Sequence, residues 1–477
     1  MNLFRLAVAL SALACIAAAQ PDPRPNIIFI LADDLGYGEV GFNGQTRYAT
    51  PNIDRIAREG LVFTDHYAGS TICAPSRNTL MTGHHTGHAT IRNNFLGGGN
   101  DGGRVALKPT DITVAERLRA AGYTTAMIGK WGLGEPDTPA APWRKGWDFF
   151  YGFVNQAHAH NQYPEFLYRD SVVEPLEQNF GHKERAYAND LFTTEAEAFL
   201  ARVGAAPTAG SARKPFFLYF SATTPHADLK CPADSIAEVK QAYAWAREPG
   251  AAESSVVFAA MMHRLDRDVG RILAKLKALG LEENTLVIFT SDNGAHEEDG
   301  KDNAFFRTAR PFRGIKRDLY EGGIRMPFAA RWPGRIVAGT RTSHLAAFWD
   351  FPATALELAA LPRPSDLPNE GISYAPTLLG RSSDQKTHGH LYWEISIKGQ
   401  ARQAVREGNW KLIRNGLTSA PELYDLANDP AEASNLAAQQ PQVVARLIPL
   451  LTASRIDSSE FPLTPGGTDK IKGKARK

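Results

Sequence analysis

The chain has 477 residues, of which 43% are hydrophobic and 22% are charged, which is usual for a globular protein with a large core. Its formal net charge is only +2, so we expect neither a nucleic-acid partner nor attraction of the whole chain to an anionic membrane. Any binding of an anion must therefore depend on a local cluster of cationic side chains.

Residues 1–19 are predicted to be a secretory signal peptide. Arg5 provides a short positive region, residues 6–16 are apolar, and residues 17–19 are three alanines that suit a cleavage site. The apolar run is too short for a membrane span, and no later stretch has eighteen apolar residues, so we expect no transmembrane segment. A secreted or periplasmic protein is predicted. A lipoprotein anchor at Cys15 is the disfavoured alternative, because the residues before it fit such an anchor poorly.

Four apolar, β-rich runs are each followed by polar residues. The runs span residues 26–32, 123–128, 214–220 and 285–290. Continuous apolar runs are typical of strands that are buried on both faces of a parallel sheet. The polar residues that follow them are Asp33 and Asp34, Lys130, His226, and Asp292 with Asn293. Because the carboxyl ends of parallel strands meet at one edge, we expect these groups to lie together.

The acidic and amide side chains at this edge predict a metal site. Asp33, Asp34, Asp292 and Asn293 provide only oxygen ligands, which suit one hard cation, calcium or magnesium. A solvated acidic loop is the alternative for the two adjacent aspartates. Their position directly after a buried strand favours metal binding.

The segment from Cys73 to Arg77 is predicted to begin a helix. Pro75 suits the first helical position, which places Cys73 just ahead of the helix, where free amides and the helix dipole favour negative charge. Arg77 can reach back towards the same point with a guanidinium that suits an oxyanion. Taken alone, Cys73 is better interpreted as an inert buried thiol, and the wider pattern decides.

The predicted fold class is α/β, with a large, mostly parallel or mixed sheet that is sandwiched by helices. Helices are predicted over residues 51–57, 111–121 and 256–279, and a flexible glycine-rich connection over residues 97–103. From about residue 380 the alternating pattern indicates a smaller α+β domain that is built on an antiparallel sheet. We place the catalytic domain at residues 20–375 and the smaller domain at residues 376–477, with a frayed basic tail from residue 469.

The order Cys-x-Pro-Ser-Arg followed by Thr-Gly over residues 73–83 resembles the activating motif of the type I sulfatases. These formylglycine-dependent, arylsulfatase-like enzymes belong to the alkaline phosphatase superfamily. The resemblance covers roughly residues 24–440, and motifs in the family's order carry it. They lie at residues 25–34, 73–83, 122–131, 224–226, 291–294, 316–323 and 422–426.

The resemblance implies roles for the residues already singled out. It implies that one calcium ion, with magnesium as the alternative, is held by Asp33, Asp34, Asp292, Asn293 and the modified side chain of Cys73. It implies that Arg77, Lys130, His226 and Lys316 bind the sulfate and stabilise its charge. A formylglycine-generating enzyme would convert Cys73 to formylglycine. The substrate would be a sulfate ester, and the loop form around Gly132 and His158 suggests a sulfated sugar of the galactose or N-acetylgalactosamine type, as a 4-sulfate.

One position departs from the family's pattern. Gly-Lys-Trp is commonly followed by histidine, whereas Gly132 stands here. In the family that histidine is thought to assist the expulsion of sulfate. As a hypothesis, His158 or His160 from the aromatic, histidine-rich loop at residues 153–168 replaces it.

Two other functions remain open at this point. One is hydrolysis of phosphomonoesters or phosphonates on the same related fold. The other is a non-catalytic protein that binds sulfated glycans and whose Cys73 is never converted. Cys231 has no obvious partner, so the mature chain is predicted to lack an internal disulfide.

Overall fold

A broad β-sheet lies at the centre of the chain in this computed structural model, which describes residues 24–96, 105–205, 213–397 and 399–463. The strands are β1 Asn26–Ala32, β2 Leu61–Phe63, β3 His66–Tyr67, β4 Thr124–Lys130, β5 Phe149–Phe153, β6 Phe166–Arg169, β7 Val172–Pro175, β8 Phe216–Ser221, β9 Thr285–Ser291, β10 Phe328–Arg331, β11 Thr340–Thr342, β12 Ala346–Ala347, β13 Leu391–Ile397, β14 Gln400–Glu407, β15 Trp410–Asn415 and β16 Glu422–Asp425.

Ten of these strands form one sheet in the order β11-β2-β10-β9-β1-β8-β4-β5-β6-β7. The five central strands, from β9 to β5, are mutually parallel. Strands β6, β7 and β10 are antiparallel to their neighbours, which makes the sheet mixed. The four predicted runs became the adjacent strands β9, β1, β8 and β4, so their carboxyl ends do share one edge.

Helices cover both faces of this sheet. They are α1 Pro51–Arg58, α2 Cys73–Thr82, α3 Val114–Ala120, α4 Ala188–Gly204, α5 Ala233–Ala242, α6 Glu253–Ala278, α7 Asn303–Phe306, α8 Glu321–Ile324, α9 Phe351–Leu358, α10 Ala375–Leu378, α11 Pro441–Leu447 and α12 Leu450–Ala453. Alternate residues of β1 point to opposite sides. Ile28 and Ile30 join the core under α1, α4 and α6, whereas Ile27 and Phe29 join the core under α2, α3 and α9. The predicted α/β sandwich is confirmed.

The strands β13 to β16 form a separate antiparallel sheet. One of its faces packs on α11 and α12 through Tyr392, Val405 and Leu447, and the other packs on the main body through Trp393 and Ile413. The predicted antiparallel C-terminal unit is therefore confirmed, while the boundary between residues 375 and 376 stays a prediction. The two units are also joined by a buried ion pair, in which Lys411 Nζ lies 2.8 Å from Glu321 Oε1.

Two helix starts differ from the sequence-based prediction. The helix expected from Asp111 begins at Val114, because the Thr113 side chain accepts a hydrogen bond from Glu116 N and caps the helix there. The helix expected to begin at Pro75 begins at Cys73, with Ile72 as its N-cap. Cys73 is therefore the first helical residue and does not precede the helix.

Several predicted features lie outside the described residues: the signal peptide with Cys15, the glycine-rich connection at residues 97–103 and the basic tail from residue 469. Within the described part of the chain, Cys73 and Cys231 form no disulfide. No helix that the structure describes is both long enough and apolar enough to cross a lipid bilayer.

Candidate active site

The polar residues at the carboxyl edge of the large sheet converge on one buried pocket. Asp33 and Asp34 follow β1, Asp292 and Asn293 follow β9, and Lys130 is the last residue of β4. His226, Lys316 and the amino end of α2 complete the pocket. Seven of its residues are 0% exposed: Asp33, Asp34, Cys73, Arg77, Lys130, Asp292 and Asn293. All nine predicted site residues are thus brought together, and His226 and Lys316 are 4% and 6% exposed.

Cys73 Sγ lies 3.5 Å from Asp33 Oδ1 and 3.9 Å from Asp34 Oδ1. Burial and the neighbouring carboxylates raise the pKa of the Cys73 thiol far above its usual value. The helix dipole was expected to favour negative charge at this point, but burial and three acidic neighbours prevail over it. The unmodified thiol is therefore neutral and is a poor nucleophile.

Each buried carboxylate of the pocket has its own cation. Lys130 Nζ lies 2.6 Å from Asp33 Oδ2, and Lys316 Nζ lies 2.6 Å from Asp34 Oδ2. Arg77 approaches Asp292 Oδ2 with Nη2 at 2.8 Å and donates to it from Nε at 3.0 Å. The partners in every pair come from different elements of the fold, so folding itself assembles the cluster.

The three carboxylates nevertheless differ in charge state. Burial alone would raise the pKa of Asp33, but Lys130 and other nearby cations lower it well below its usual value. Asp34 is lowered in the same way, chiefly by Lys316. For Asp292, burial together with the adjacent Asp33 charge raises the pKa to about 7. The third carboxylate therefore lacks full compensation in the protein alone, as expected where a cation would bind.

The oxygen atoms at this edge fit a hard metal ion. Asn293 Oδ1 is buried without a hydrogen-bond partner among the described residues, while Asn293 Nδ2 donates to Asp34 Oδ1 at 2.6 Å. Asp34 itself has a left-handed backbone (φ 63°), and its N–H donates to Asp292 Oδ1 at 3.0 Å. An unpaired carbonyl oxygen beside carboxylates supplies the ligand type that calcium and magnesium take.

His226 contacts both members of the ion pair between Lys316 and Asp34. Its Nε2 lies 3.2 Å from Lys316 Nζ and 3.2 Å from Asp34 Oδ2, and its Nδ1 contacts the carbonyl oxygen of Ala227. That carbonyl assigns the proton to Nδ1, so Nε2 of the neutral ring accepts from Lys316. Burial lowers the pKa of His226, which keeps the ring neutral at rest.

The two histidines of the aromatic loop have different places. The His158 ring packs between Phe153 and Phe166, at centroid distances of 4.8 and 4.3 Å, and burial lowers its pKa to about 4. The His160 ring instead stacks on His226, at a centroid distance of 4.5 Å. Of the two candidates to replace the family's histidine, His160 is the one that contacts a predicted catalytic residue.

Gly132 has a local structural explanation. Its φ is +73°, and a Cβ built there would lie 2.6 Å from Gln156 Oε1. The Gln156 amide is buried, and neither of its polar atoms has a partner among the described residues. In this chain, therefore, Gln156 occupies the space that a side chain at position 132 would need.

The sequence analysis did not identify two further neighbours of the pocket, the carboxylate of Glu298 and the ring of His296. Glu298 Oε2 lies 3.5 Å from Lys316 Nζ, while its Oε1 lies 2.6 Å from Arg317 Nη2. The His296 ring lies 6.0 Å from that of His226. Both follow closely after Asp292 and Asn293, and this short distance along the chain is the signal that could have identified them.

Comparisons with known proteins agree with this geometry. Residues 25–361 match the family described as Sulfatase, and residues 314–455 match the family described as N-sulphoglucosamine sulphohydrolase, C-terminal. The mouse N-acetylgalactosamine-6-sulfatase is 33% identical over 91% of this chain and 80% of its own length. The N-acetylgalactosamine-6-O-sulfatase of Bacteroides thetaiotaomicron is 29% identical over 91% of this chain and 93% of its own.

A solved structure is also similar. The crystal structure of Ps i-CgsB in complex with k-i-k-neocarrahexaose superimposes with a TM-score of 0.76 at 26% identity, over 90% of this chain and 92% of that one.

Proposed function

The chain belongs to the sulfatase family, and we propose that it hydrolyses sulfate monoesters of a sulfated carbohydrate with formylglycine at position 73 and one calcium ion. The observation that supports this most is the buried pocket, where Cys73 lies against Asp33 and Asp34 and where Arg77, Lys130 and Lys316 bring three cations. A metal ion would supply the positive charge that Asp292 lacks, and the three cations would bind the sulfate ester.

Asp33, Asp34, Asp292 and Asn293 would hold the metal, with magnesium as the alternative. The metal would supply Lewis-acid polarisation of the sulfate and of the side chain at position 73. Arg77, Lys130 and Lys316 would orient the sulfate and stabilise the charge that develops on its oxygens.

Converted to formylglycine, position 73 presents a hydrated aldehyde with two hydroxyl groups. One hydroxyl oxygen attacks sulfur and loses its proton to Asp292, and the bond from sulfur to the ester oxygen breaks. The leaving alcohol takes a proton from His226 Nε2, which Lys316 Nζ can supply across 3.2 Å. His226 Nε2, which has given its proton to the alcohol, would then accept the proton of the second hydroxyl, so that the C=O bond re-forms while the bond from carbon to the sulfated oxygen breaks and sulfate leaves. The neutral Cys73 thiol offers no such route.

The substrate class is narrowed by the relatives. Two of them are named for sulfate on carbon 6 of N-acetylgalactosamine. We therefore favour a 6-sulfated sugar of the galactose or N-acetylgalactosamine type over the 4-sulfate that the sequence suggested.

The proposal also covers the secretion of the chain, the modification of Cys73 and the role of the smaller domain. A signal peptide at residues 1–19 would direct the chain to secretion or to the periplasm, and a formylglycine-generating enzyme would act on Cys73 during synthesis. Residues 376–477 would form the smaller domain, which holds the segment of Lys316: the Arg402 side chain donates to Arg317 O at 2.8 Å.

The test is the mass of the residue-73 peptide together with activity. Conversion of Cys73 lowers the peptide mass by about 18 Da, as the exchange of SH and H for a carbonyl oxygen requires. The converted protein should hydrolyse 4-methylumbelliferyl sulfate and release sulfate from 6-sulfated N-acetylgalactosamine. A preference for the matching phosphate ester would favour a phosphomonoesterase. An unconverted Cys73 in protein from its native host would favour a non-catalytic glycan-binding protein.

A further inference from the structure

His226 lies on a turn at residues 223–229 that belongs to neither a helix nor a strand. Its Nε2 lies 3.2 Å from Lys316 Nζ, and proton transfer requires such a group to be held to within about 0.5 Å. No regular backbone pairing fixes this turn. Its position must therefore come from the groups that bind its polar atoms.

Buried side chains from three other segments bind the polar atoms of this turn. Each makes one hydrogen bond to its backbone: Asn189 Oδ1 accepts from Thr223 N at 3.1 Å, Gln162 Nε2 donates to His226 O at 3.1 Å, and His296 Nε2 donates to Pro225 O at 2.9 Å. The last two bonds hold the carbonyl oxygens of His226 and of the residue before it. They therefore constrain the backbone from which the His226 side chain extends.

The His296 ring is a neutral donor with a fixed direction. Pro225 O can only accept, and Glu298 N donates to the other ring nitrogen, Nδ1, at 3.2 Å, so the proton lies on Nε2. Burial lowers the pKa of His296 well below its usual value, which keeps the ring neutral. Both ring nitrogens are thus engaged with the backbone, which leaves His296 no nitrogen for proton transfer.

His296 also links the His226 turn to the rest of the pocket. It ends a segment, residues 292–296, whose first two residues follow β9 and are the proposed metal ligands. Within the same segment, Ala295 O accepts from Lys316 N at 3.0 Å. One short segment therefore sets the positions of metal-binding oxygens, of Lys316 and, through His296, of His226.

We propose that His296, together with Gln162, is a positioning residue for proton transfer, and that it holds His226 Nε2 beside Lys316 Nζ through the bond to Pro225 O. This inference rests on the proposed function, because it concerns the proton that His226 gives to the leaving alcohol. Loss of the bond lets the turn shift. This lowers kcat for leaving groups that need a proton and leaves KM nearly unchanged, since the cations that bind the sulfate keep their own partners.

The experiment compares His296→Gln with His296→Asn. The amide nitrogen of Gln reaches the position of Nε2 and can still donate to Pro225 O, whereas the shorter Asn amide reaches only the position of Nδ1. We expect His296→Asn to lower kcat/KM for a 6-sulfated N-acetylgalactosamine by about 10- to 100-fold, through kcat. For 4-nitrophenyl sulfate, whose phenolate leaves without a proton, the loss should be less than about threefold. His296→Gln should keep the wild-type ratio between the two substrates.

The matched control is His66→Asn, at another buried histidine. The His66 ring is 1% exposed and stacks on Phe328 at a centroid distance of 3.9 Å. This variant should leave the ratio between the two substrates unchanged, even where it lowers the free energy of unfolding. A second variant, Gln162→Met, removes the neighbouring bond to His226 O and tests the proposal independently if His296→Asn does not fold. It should change the ratio in the same direction as His296→Asn.

The proposal is overturned if His296→Asn or Gln162→Met lowers kcat/KM for both substrates by the same factor, as a purely structural role would give. It is also overturned if His296→Gln or His66→Asn changes the ratio as His296→Asn does. If the wild-type protein hydrolyses neither sulfate, the proposed function itself fails. If the wild type hydrolyses both and His296→Asn keeps the wild-type ratio, only this inference fails.

Discussion

The catalytic pocket and the loop cleft lined by Tyr163, Glu184, Asp228 and Lys230 are built in opposite ways. In the catalytic pocket, Asp33, Asp34 and Lys130 are 0% exposed, and each charge is paired with a charge from another segment of the chain. In the loop cleft, Glu184 and Lys230 have side chains 51% and 46% exposed. Buried charges act at low dielectric and need no rearrangement during reaction, whereas exposed charges are screened by water. Changes of charge in the pocket should therefore affect the chemical step far more than changes of charge in the loop cleft.

The largest effect is expected from Cys73→Ala. Loss of the residue that carries the nucleophile should lower kcat/KM on the aryl sulfate by about 10⁴-fold or more, with no recovery when a sugar sulfate is used. The control is Cys231→Ala, which removes the other buried thiol of the described chain and should leave activity intact. Substantial activity in Cys73→Ala would show that residue 73 is not the nucleophile.

His226→Ala tests the donation of a proton to the leaving alcohol in the pocket. We expect a loss of about 10²- to 10⁴-fold for sugar sulfates, since a sugar alcohol needs a proton to leave. The loss should be smaller for aryl sulfates, because their phenolates leave more easily without one. Steady-state kinetics over a series of leaving groups measures the difference. His158→Ala, which changes a histidine packed between two phenylalanines, should show no such dependence, and equal losses for all substrates of His226→Ala would argue against proton donation.

Calcium should stabilise the folded protein by binding in the catalytic pocket and nowhere else. At a free calcium concentration 100 times the Kd, binding adds about 2.7 kcal/mol to the free energy of unfolding. Thermal unfolding with calcium and with a chelator measures this, and Asp34→Asn should abolish the increase. Asp266→Asn, at a buried carboxylate that accepts from Asn52 N and Ile53 N far along the chain, should retain it. An unchanged midpoint in the wild type would contradict the metal site.

The smallest effect concerns Gly132 and Gln156. Gly132→His places a side chain on a left-handed backbone against Gln156 Oε1, and should lower the free energy of unfolding by about 1–3 kcal/mol. The double variant Gly132→His/Gln156→Ala should recover part of that loss, since it frees the contested space. Urea unfolding measures both, with Gln156→Ala as the control. A double variant no more stable than Gly132→His would show that Gln156 does not occupy that space.

Much of the catalytic pocket was predictable because its residues follow long apolar runs. Such runs identify strands that are buried on both faces, and the carboxyl end of a parallel strand has one possible location relative to its neighbours. This is why the sequence alone places Asp33, Lys130 and Asp292 at the carboxyl edge of the sheet. The segment at Cys73 added a motif whose spacing is specific.

Other features required the folded chain. The order of the strands, the antiparallel edges and the pairing of Glu321 with Lys411 depend on contacts between residues distant in sequence, which local patterns do not encode. The neutral state of the unmodified Cys73 thiol also needed the structure, because the depth of its burial, which contributes most to its raised pKa, is not visible in the sequence.

By itself, the sequence determined the fold class, the sulfatase family and the set of groups that the chemistry requires, because each of these depends on residue type and local spacing. Only the tertiary structure decided that His160, and not His158, lies against His226, that Gln156 occupies the space beside Gly132, and that two carboxylates and one lysine line the loop cleft. These features lie in loops, whose path follows from packing against the rest of the molecule and not from their own periodicity.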